Sequence, residues 1–388
     1  VKILEGLKVI DASQFNAGPT VSLYLSGYGA DVIKVERPGG EDSRAIGPFK
    51  EGESSYFMSL NRGKRSITVN LKEPGGVEVF KRLARSADIL VENYLPGVMD
   101  RLGVGWEALH AENPRLIYGA VSGFGREGPG AKRPAFDSLL QAAGGLISVT
   151  GPEGGPPVRV GVSIVDIASG LYLLSGILSA LWRRERTGEG CRVDASMLAA
   201  TVNIMENPVA RHSFTGEVPR PEGLSHPVVS PFSGYRTGDG LIFVAISNTN
   251  RYRVLVEALG RADLRADPRF LENKDRVENE GALRGVLEGI LGEKTTAEWE
   301  EFLIPRGVTV SAINDVAQVK ERFPEAFVEV DHPVAGPALL PASPVTFGEG
   351  ELSFARPAPT AGEHTDEILR EIGYSPEEIE KLRERKAV

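Results

Sequence analysis

Apolar residues run almost unbroken from Ile164 to Trp182, and the pattern predicts one long helix from Ser163 to Arg186. A single carboxylate, Asp166, interrupts the run, in the first turn. Small or apolar side chains occupy every face until Arg183, so this helix is expected deep in the protein. The run is nearly long enough to cross a bilayer. Against that stand Asp166 and the small residues Ala168, Ser169, Gly170, Ser175, Gly176, Ser179 and Ala180, which suit close packing against other helices. No second stretch matches it in strength, so a buried core helix is expected.

Before this helix the pattern alternates between β-branched runs and helical periodicity. Leu7–Asp11 reads as a strand, Gly18-Pro19 opens a helix ending near Gly29, and Asp31–Glu36 is a second strand. Strand, helix and strand in that order make a βαβ unit and imply a parallel sheet. Ser66–Leu71, Asp88–Val91 and Leu116–Val121 add strands, with a helix from Pro74 to Arg85. The first half is therefore an open, Rossmann-like α/β layer. An Ala- and Gly-rich helix, Ser138–Gly145, precedes the central one. After it, Gly188–Asp194 turns into a strand and a helix is expected from Ala195 to about His212. Pro, Gly and Ser then concentrate between Thr215 and Pro231, as in a linker. Leu241–Ile246 is a strand, and charged amphipathic helices cover Asn250–Gly260, Asn279–Leu291 and Thr296 to about Ile304. These form a second, smaller α/β domain. Short strands and a final charged helix close the chain.

Composition changes the picture only by exclusion. At 388 residues, with 41% hydrophobic and 25% charged positions, the chain has room for two folded domains. A net charge of −9 argues against non-specific nucleic-acid binding. Cys191 is the one cysteine, which excludes intrachain disulfides and cysteine-rich metal sites. Val1–Gly6 carries no signal-peptide pattern, so a cytoplasmic location is expected, with no membrane partner.

Asp166 carries the first candidate chemistry. Its spacing from Ser163 fits a capping box that satisfies free first-turn N–H groups. Equally, a carboxylate held ionised at a helix N-terminus and poorly hydrated by apolar neighbours is a competent nucleophile. Loops at the carboxyl ends of parallel strands are where ligands bind. Three stand out: Gln14–Pro19, Glu36–Gly40 and Glu92–Gly97, the last followed by Arg101. Each is equally readable as a plain turn. Asn61–Arg65 is a basic turn, either solvated or touching phosphate. Gly123–Gly128 matches a dinucleotide fingerprint, but Pro129-Gly130 follows and no helix starts until about Asp137, so nicotinamide binding is not expected.

Taken together, Ala17-Gly18-Pro19, Val35-Glu36-Arg37, Glu92-Asn93-Tyr94, Gly123-Phe124-Gly125, Asp166 at a helix start and Gly188-Glu189-Gly190 resemble the family III CoA-transferases of the CaiB/BaiF type. Tyr235–Gly240, Asp267–Phe270 and Gly362–Thr365 extend the resemblance over essentially the whole chain. From Gly144 through Tyr172 it is similar to succinyl-CoA-dependent dicarboxylate transferases. The resemblance implies that Asp166 is the acyl-accepting nucleophile, with Asn16 or backbone N–H groups meeting the oxyanions. It implies a CoA site at Arg37, Asn93, Tyr94 and Arg101, with Lys132 or Arg133 beside it. No permanently bound cofactor or metal is implied; CoA thioester and a small carboxylic acid are the partners. It further implies that residues 1–214 form a large CoA-binding domain to which 325–388 return, that 215–234 link it to a small domain at 235–324, and that two chains interlock as a homodimer. The turn Ser247–Asn250 falls where relatives carry a mobile loop, although it lacks their glycines.

Two other functions remain open at this stage. Racemases of 2-methylacyl-CoA share the fold and carry a His–Asp pair where this chain has Phe136-Asp137; none of His110, His212, His226, His332 and His364 stands there. A non-catalytic CoA-binding protein, with Asp166 only capping its helix, is the other.

Overall fold

In the computed structural model, which describes residues 2–348, 352, 354 and 356–388, adjacent strand residues bury themselves on opposite faces of one sheet. Its strands are β1 (Lys8–Asp11), β2 (Asp31–Glu36), β3 (Arg65–Thr68), β4 (Ile89–Glu92), β5 (Ile117–Ser122) and β6 (Arg192–Ser196). All neighbours pair parallel, in the order β3-β2-β1-β4-β5-β6. Because side chains alternate, Val9, Val32, Ile89, Val91 and Ile117 feed one apolar cluster, while Ile10, Ile33, Leu90 and Tyr118 feed the other. A sheet buried on both faces needs helices on both.

The first face is covered by α1 (Ala17–Gly27), α4 (Asp137–Ala143) and α5 (Ile164–Thr187), through Val21, Leu25, Leu140, Val165, Leu173 and Ile177. On the other lie α3 (Pro74–Ser86) and two helices near the end of the chain, α6 (Thr365–Glu371) and α7 (Pro376–Glu384). Their Phe80, Leu83, Ile368, Leu369, Ile379 and Leu382 form that cluster. The short helix α2 (Ser55–Asn61) starts where the Ser54 side chain accepts from the Phe57 N–H at 3.1 Å.

The strand order reverses at β1, between β2 and β4. Loops leaving β1 and β4 therefore open a crevice at their carboxyl ends, the place where such sheets bind ligands. Helix α5 reaches this crevice because Gly170 lets it lie on the backbone of α1: a Cβ there would stand 2.6 Å from the Ala17 carbonyl oxygen. Of the small residues read from the sequence, Gly170 serves this approach, whereas Ser175 and Ser179 are exposed.

Two expectations change, and the smaller domain gains its detail. Helix α5 is long and apolar enough to span a membrane by length and composition, and its inner face packs into the core beneath the sheet. It is not buried all round, however: Leu171, Tyr172 and Leu178 are exposed on its outer side, and Trp182 is 70% exposed. The helix expected at Ala195–His212 is two, Met197–Ile204 and Glu206–Thr215. Pro208 has no N–H to offer the Ile204 carbonyl, so the first cannot continue into the second. The smaller domain is built on an antiparallel sheet, with β7 (Phe232–Arg236) and β9 (Val310–Ala312) flanking β8 (Leu241–Ala245). Tyr235, Ile242, Phe270, Leu283, Leu287 and Trp299 form its core. Contacts divide the chain into two compact units: one holds the chain up to Leu146, Arg159–Glu217 and Glu325 onward, the other Ile147–Val158 and Val218–Pro324.

Candidate active site

The loop from β1 to α1 is fixed at each residue. Asp11 Oδ1 accepts the Ser13 N–H at 3.0 Å, and Lys34 Nζ donates to the Ser13 carbonyl. The Asn93 side chain, at the end of β4, clasps Gln14 from both sides, accepting its N–H at 2.8 Å and donating to its carbonyl at 2.7 Å. Glu41 Oε2 accepts the Phe15 N–H at 3.0 Å. Asn16 follows as the residue flanking α1, and its Oδ1 accepts from Thr20 Oγ1 at 2.9 Å. With the oxygen engaged, the amide nitrogen is the end of Asn16 available as a donor. Gly18 is required behind the loop, since a Cβ would meet Ser13 Cβ at 2.2 Å.

The start of α5 is capped differently from the Ser163–Asp166 box. Ser163 makes no side-chain cap bond. Instead Asp137, in the first turn of α4, reaches across: its Oδ1 accepts the N–H groups of Val165 at 2.8 Å and Asp166 at 3.3 Å. Its Oδ2 accepts from Gln141 Nε2 at 2.6 Å, and Gln141 Oε1 holds the Val160 N–H at 2.9 Å. A carboxylate from another helix thus does the capping, and Asp166 is left free to face outward.

It faces a cavity of about 440 Å³ at the crevice. Phe15, Ile46, Tyr94, Val121, Phe136 and Met197 give apolar walls; Asn16, Tyr56, Asp137 and Asp166 are among its polar groups. Phe15 and Phe136 meet edge to face, with ring centroids 5.9 Å apart. Burial, then the Asp137 charge, pushes the Asp166 carboxyl up to about 7. Burial and the like charge thus act against the helix dipole, which was expected to hold the carboxylate ionised. Burial, then the Asp166 charge, pushes the Tyr56 hydroxyl up to about 12, with a hydrogen bond from Asn16 acting the other way. Tyr56 therefore stays protonated and can donate. Near the β4 end, burial pushes Glu92 up to about 7; its Oε2 accepts the Tyr94 N–H at 2.7 Å and orders that loop.

Asn16, Asn93, Tyr94 and Asp166 thus come together in one cavity. The Asn93 amide is engaged with the Gln14 backbone, and the Tyr94 hydroxyl accepts from Gln14 Nε2 at 3.0 Å. Arg37, Arg101, Lys132 and Arg133 are exposed and lie outside the lining. Arg37 pairs with Asp42 and donates to the Gly40 carbonyl at 3.1 Å, and Arg133 lies over the Phe124 ring at 4.3 Å. The basic turn Asn61–Arg65 is not the solvated connection that was one of its two readings, and its Lys64 is turned inward. Arg62 and Lys64 are buried, and Lys64 Nζ reaches Asp11 Oδ2 and Asn61 Oδ1, each at 2.8 Å. Sequence reading missed Tyr56, which sits in a short helix with no periodicity to announce it. The one local signal was Ser54 as its cap. Among the described residues, no cluster of His, Cys, Asp or Glu could hold a metal ion.

Residues 4–365 match the family model described as CoA-transferase family III. The chain is 36% identical to succinyl-CoA:glutarate CoA-transferase of Mus musculus, over 98% of this chain and 89% of that protein. It is 38% identical to acetyl-CoA:oxalate CoA-transferase of Acetobacter aceti, over 96% of each. The crystal structure of a CaiB/BaiF family protein from Brucella suis superposes with a TM-score of 0.85 at 34% identity, covering 95% of this chain and 99% of that one.

Proposed function

The chain belongs to CoA-transferase family III, and from that membership we propose that Asp166 is the carboxylate through which CoA passes between two carboxylic acids. The protein is a CoA-transferase. The observation that carries the assignment is a carboxylate at the start of α5, relieved of capping its own helix by Asp137 and lining a mostly apolar cavity with Asn16 and Tyr56.

The reaction needs no ATP, because the thioester's free energy is passed on. Ionised Asp166 attacks the acyl-CoA carbonyl, forming a mixed anhydride as the C–S bond breaks and CoA leaves as thiolate. The thiolate then attacks the Asp166 carbonyl, releasing the first acid and leaving CoA as an aspartyl thioester. The second acid attacks that thioester, and the returning thiolate takes the new acyl group and frees Asp166. Each addition develops an oxyanion. The Asn16 amide, which keeps a second N–H besides the one given to Tyr56, and the Tyr56 hydroxyl are the donors at hand, and losing one such donor commonly costs ~3 kcal/mol of barrier. Phe15 and Met197 give the anhydride apolar walls. The mouse relative is named for succinyl-CoA and glutarate and the Acetobacter relative for acetyl-CoA and oxalate; a dicarboxylic acid is accordingly the proposed acceptor, and a screen of acyl-CoAs against mono- and dicarboxylates tests that.

Only the ionised form of Asp166 attacks, so the rate should rise with pH through about 7. Exchange of labelled CoA into acyl-CoA, followed from pH 5 to 9 without any acceptor acid, reads this limb directly. A limb centred near 4, the ordinary range of an aspartate, would contradict the assignment. The proposal includes a homodimer, supported by the exposed Leu171, Leu178 and Trp182 on α5. Light scattering that gives the mass of one chain at micromolar concentration would remove it.

A further inference from the structure

Phe15 adopts φ +60°, one of three non-glycine residues with positive φ among those described. The left-handed region is costly for an aromatic residue, and such a conformation persists only where its surroundings hold it. Here the hold is visible. The Phe15 N–H points at Glu41 Oε2, 3.0 Å away, and the Glu41 side chain is 2% exposed. Lys34, wholly buried, grips the other oxygen at 3.1 Å. The Glu41 backbone is anchored in turn, since its N–H donates to Glu36 Oε2 at 3.1 Å, and Arg44 binds both oxygens of Glu36, at 2.7 and 2.8 Å.

A buried ion pair is a weak device for stability. This one ends on the backbone of the residue before Asn16, in the loop that enters the cavity. We infer that Glu41 is a positioning residue for the transfer reaction: its carboxylate holds Phe15 left-handed and so aims Asn16 at the cavity containing Asp166. Relaxing Phe15 to an ordinary φ would swing the following peptide and take the Asn16 nitrogen away from the developing oxyanion. Glu41 touches no substrate; it acts through Phe15 and Asn16. This inference rests on the proposed role of Asn16.

The test is a double-mutant cycle on turnover. Glu41→Ala should lower kcat roughly 10–100-fold while the KM for acyl-CoA moves less than about threefold. Glu41→Gln keeps the volume and an acceptor oxygen, and should retain most of kcat. Phe15→Gly slows the enzyme by itself through the lost aromatic wall. In that background, however, Glu41→Ala should add less than about a threefold loss, because glycine adopts the left-handed conformation unaided. Equal losses in both backgrounds, or an effect confined to KM, overturn the inference. Should Glu41→Ala fail to fold, Glu41→Asp, whose shorter side chain keeps the charge but draws the acceptor back from the Phe15 N–H, gives the same comparison in the two Phe15 backgrounds. Asn16→Ala separates the two layers: if it leaves kcat unchanged, the role of Asn16 falls. If it slows turnover while folded Glu41→Ala does not, the positioning role alone falls.

Discussion

Asp166→Asn is expected to abolish transfer while leaving the protein as stable as before, or more so. The amide is nearly isosteric but cannot form an anhydride, so turnover should drop by several orders of magnitude. Stability follows from linkage. Burial and the Asp137 charge raise the folded carboxyl to about 7 from an ordinary value of 3.8. Between those values the folded state binds a proton that the unfolded state has lost, so this group's contribution to stability falls as pH rises from 4 to 7 and stays unfavourable above. Asparagine removes that penalty, of roughly 2–4 kcal/mol. Melting at pH 8 should therefore be unchanged or several degrees higher in the variant, and the difference should vanish near pH 4. Had Asp166 been the cap of α5, the variant would instead melt lower by about 1 kcal/mol. Calorimetry supplies the contrast: Asp166→Asn should bind CoA normally, whereas Arg37→Ala and Arg101→Ala should each lose affinity while Asp166 chemistry survives. Charge-assisted phosphate contacts are worth ~1.5–3 kcal/mol each. Unchanged affinity in both arginine variants would remove them from the CoA site.

Lys64→Met is expected to be the most destabilising substitution near the site. Asp11 is fully buried; burial would raise its carboxyl, and Lys34 and Lys64 more than reverse this, holding it well below the usual carboxylate range. Ser22 Oγ adds a hydrogen bond to Oδ2 at 2.6 Å. Removing Lys64 leaves the carboxylate with Lys34 at 3.8 Å as its remaining cation. Breaking one partner of a buried pair costs about 3–5 kcal/mol. Urea denaturation should report a loss of that size, and the loop that Asp11 anchors through Ser13 should loosen with it. A loss under about 1 kcal/mol, together with weaker CoA binding, would restore the phosphate reading of this basic turn.

The sheet was legible because its signals are local. Short β-branched runs separated by helical periods give β1, β2, β4 and β5 within a residue or two, and the crevice follows from the strand order. Asp166 stood out as a carboxylate in an apolar helix. What could not be read depends on partners distant in sequence. The cap of α5 comes from Asp137, 29 residues before Asp166, so the local Ser163 spacing pointed to the wrong donor. Lys64 looks like a surface charge until Asp11, 53 residues away, is seen to need it. Tyr56 carries no pattern of its own and enters the site only because α2 packs beside α1. The outer face of α5 is as apolar as the inner one, so periodicity could not separate them.

Transfer turns on a covalent bond to one side chain, and that bond can be trapped. Enzyme incubated with acyl-CoA in the absence of acceptor acid, then quenched with hydroxylamine, should carry a hydroxamate on Asp166, as either the anhydride or the thioester would yield. Peptide mass spectrometry should find it on the fragment containing Ile164–Tyr172 in the wild type and nowhere in Asp166→Asn. An unmodified Asp166 in protein that exchanges labelled CoA at full rate, or a hydroxamate on another carboxylate such as Asp137, would contradict it.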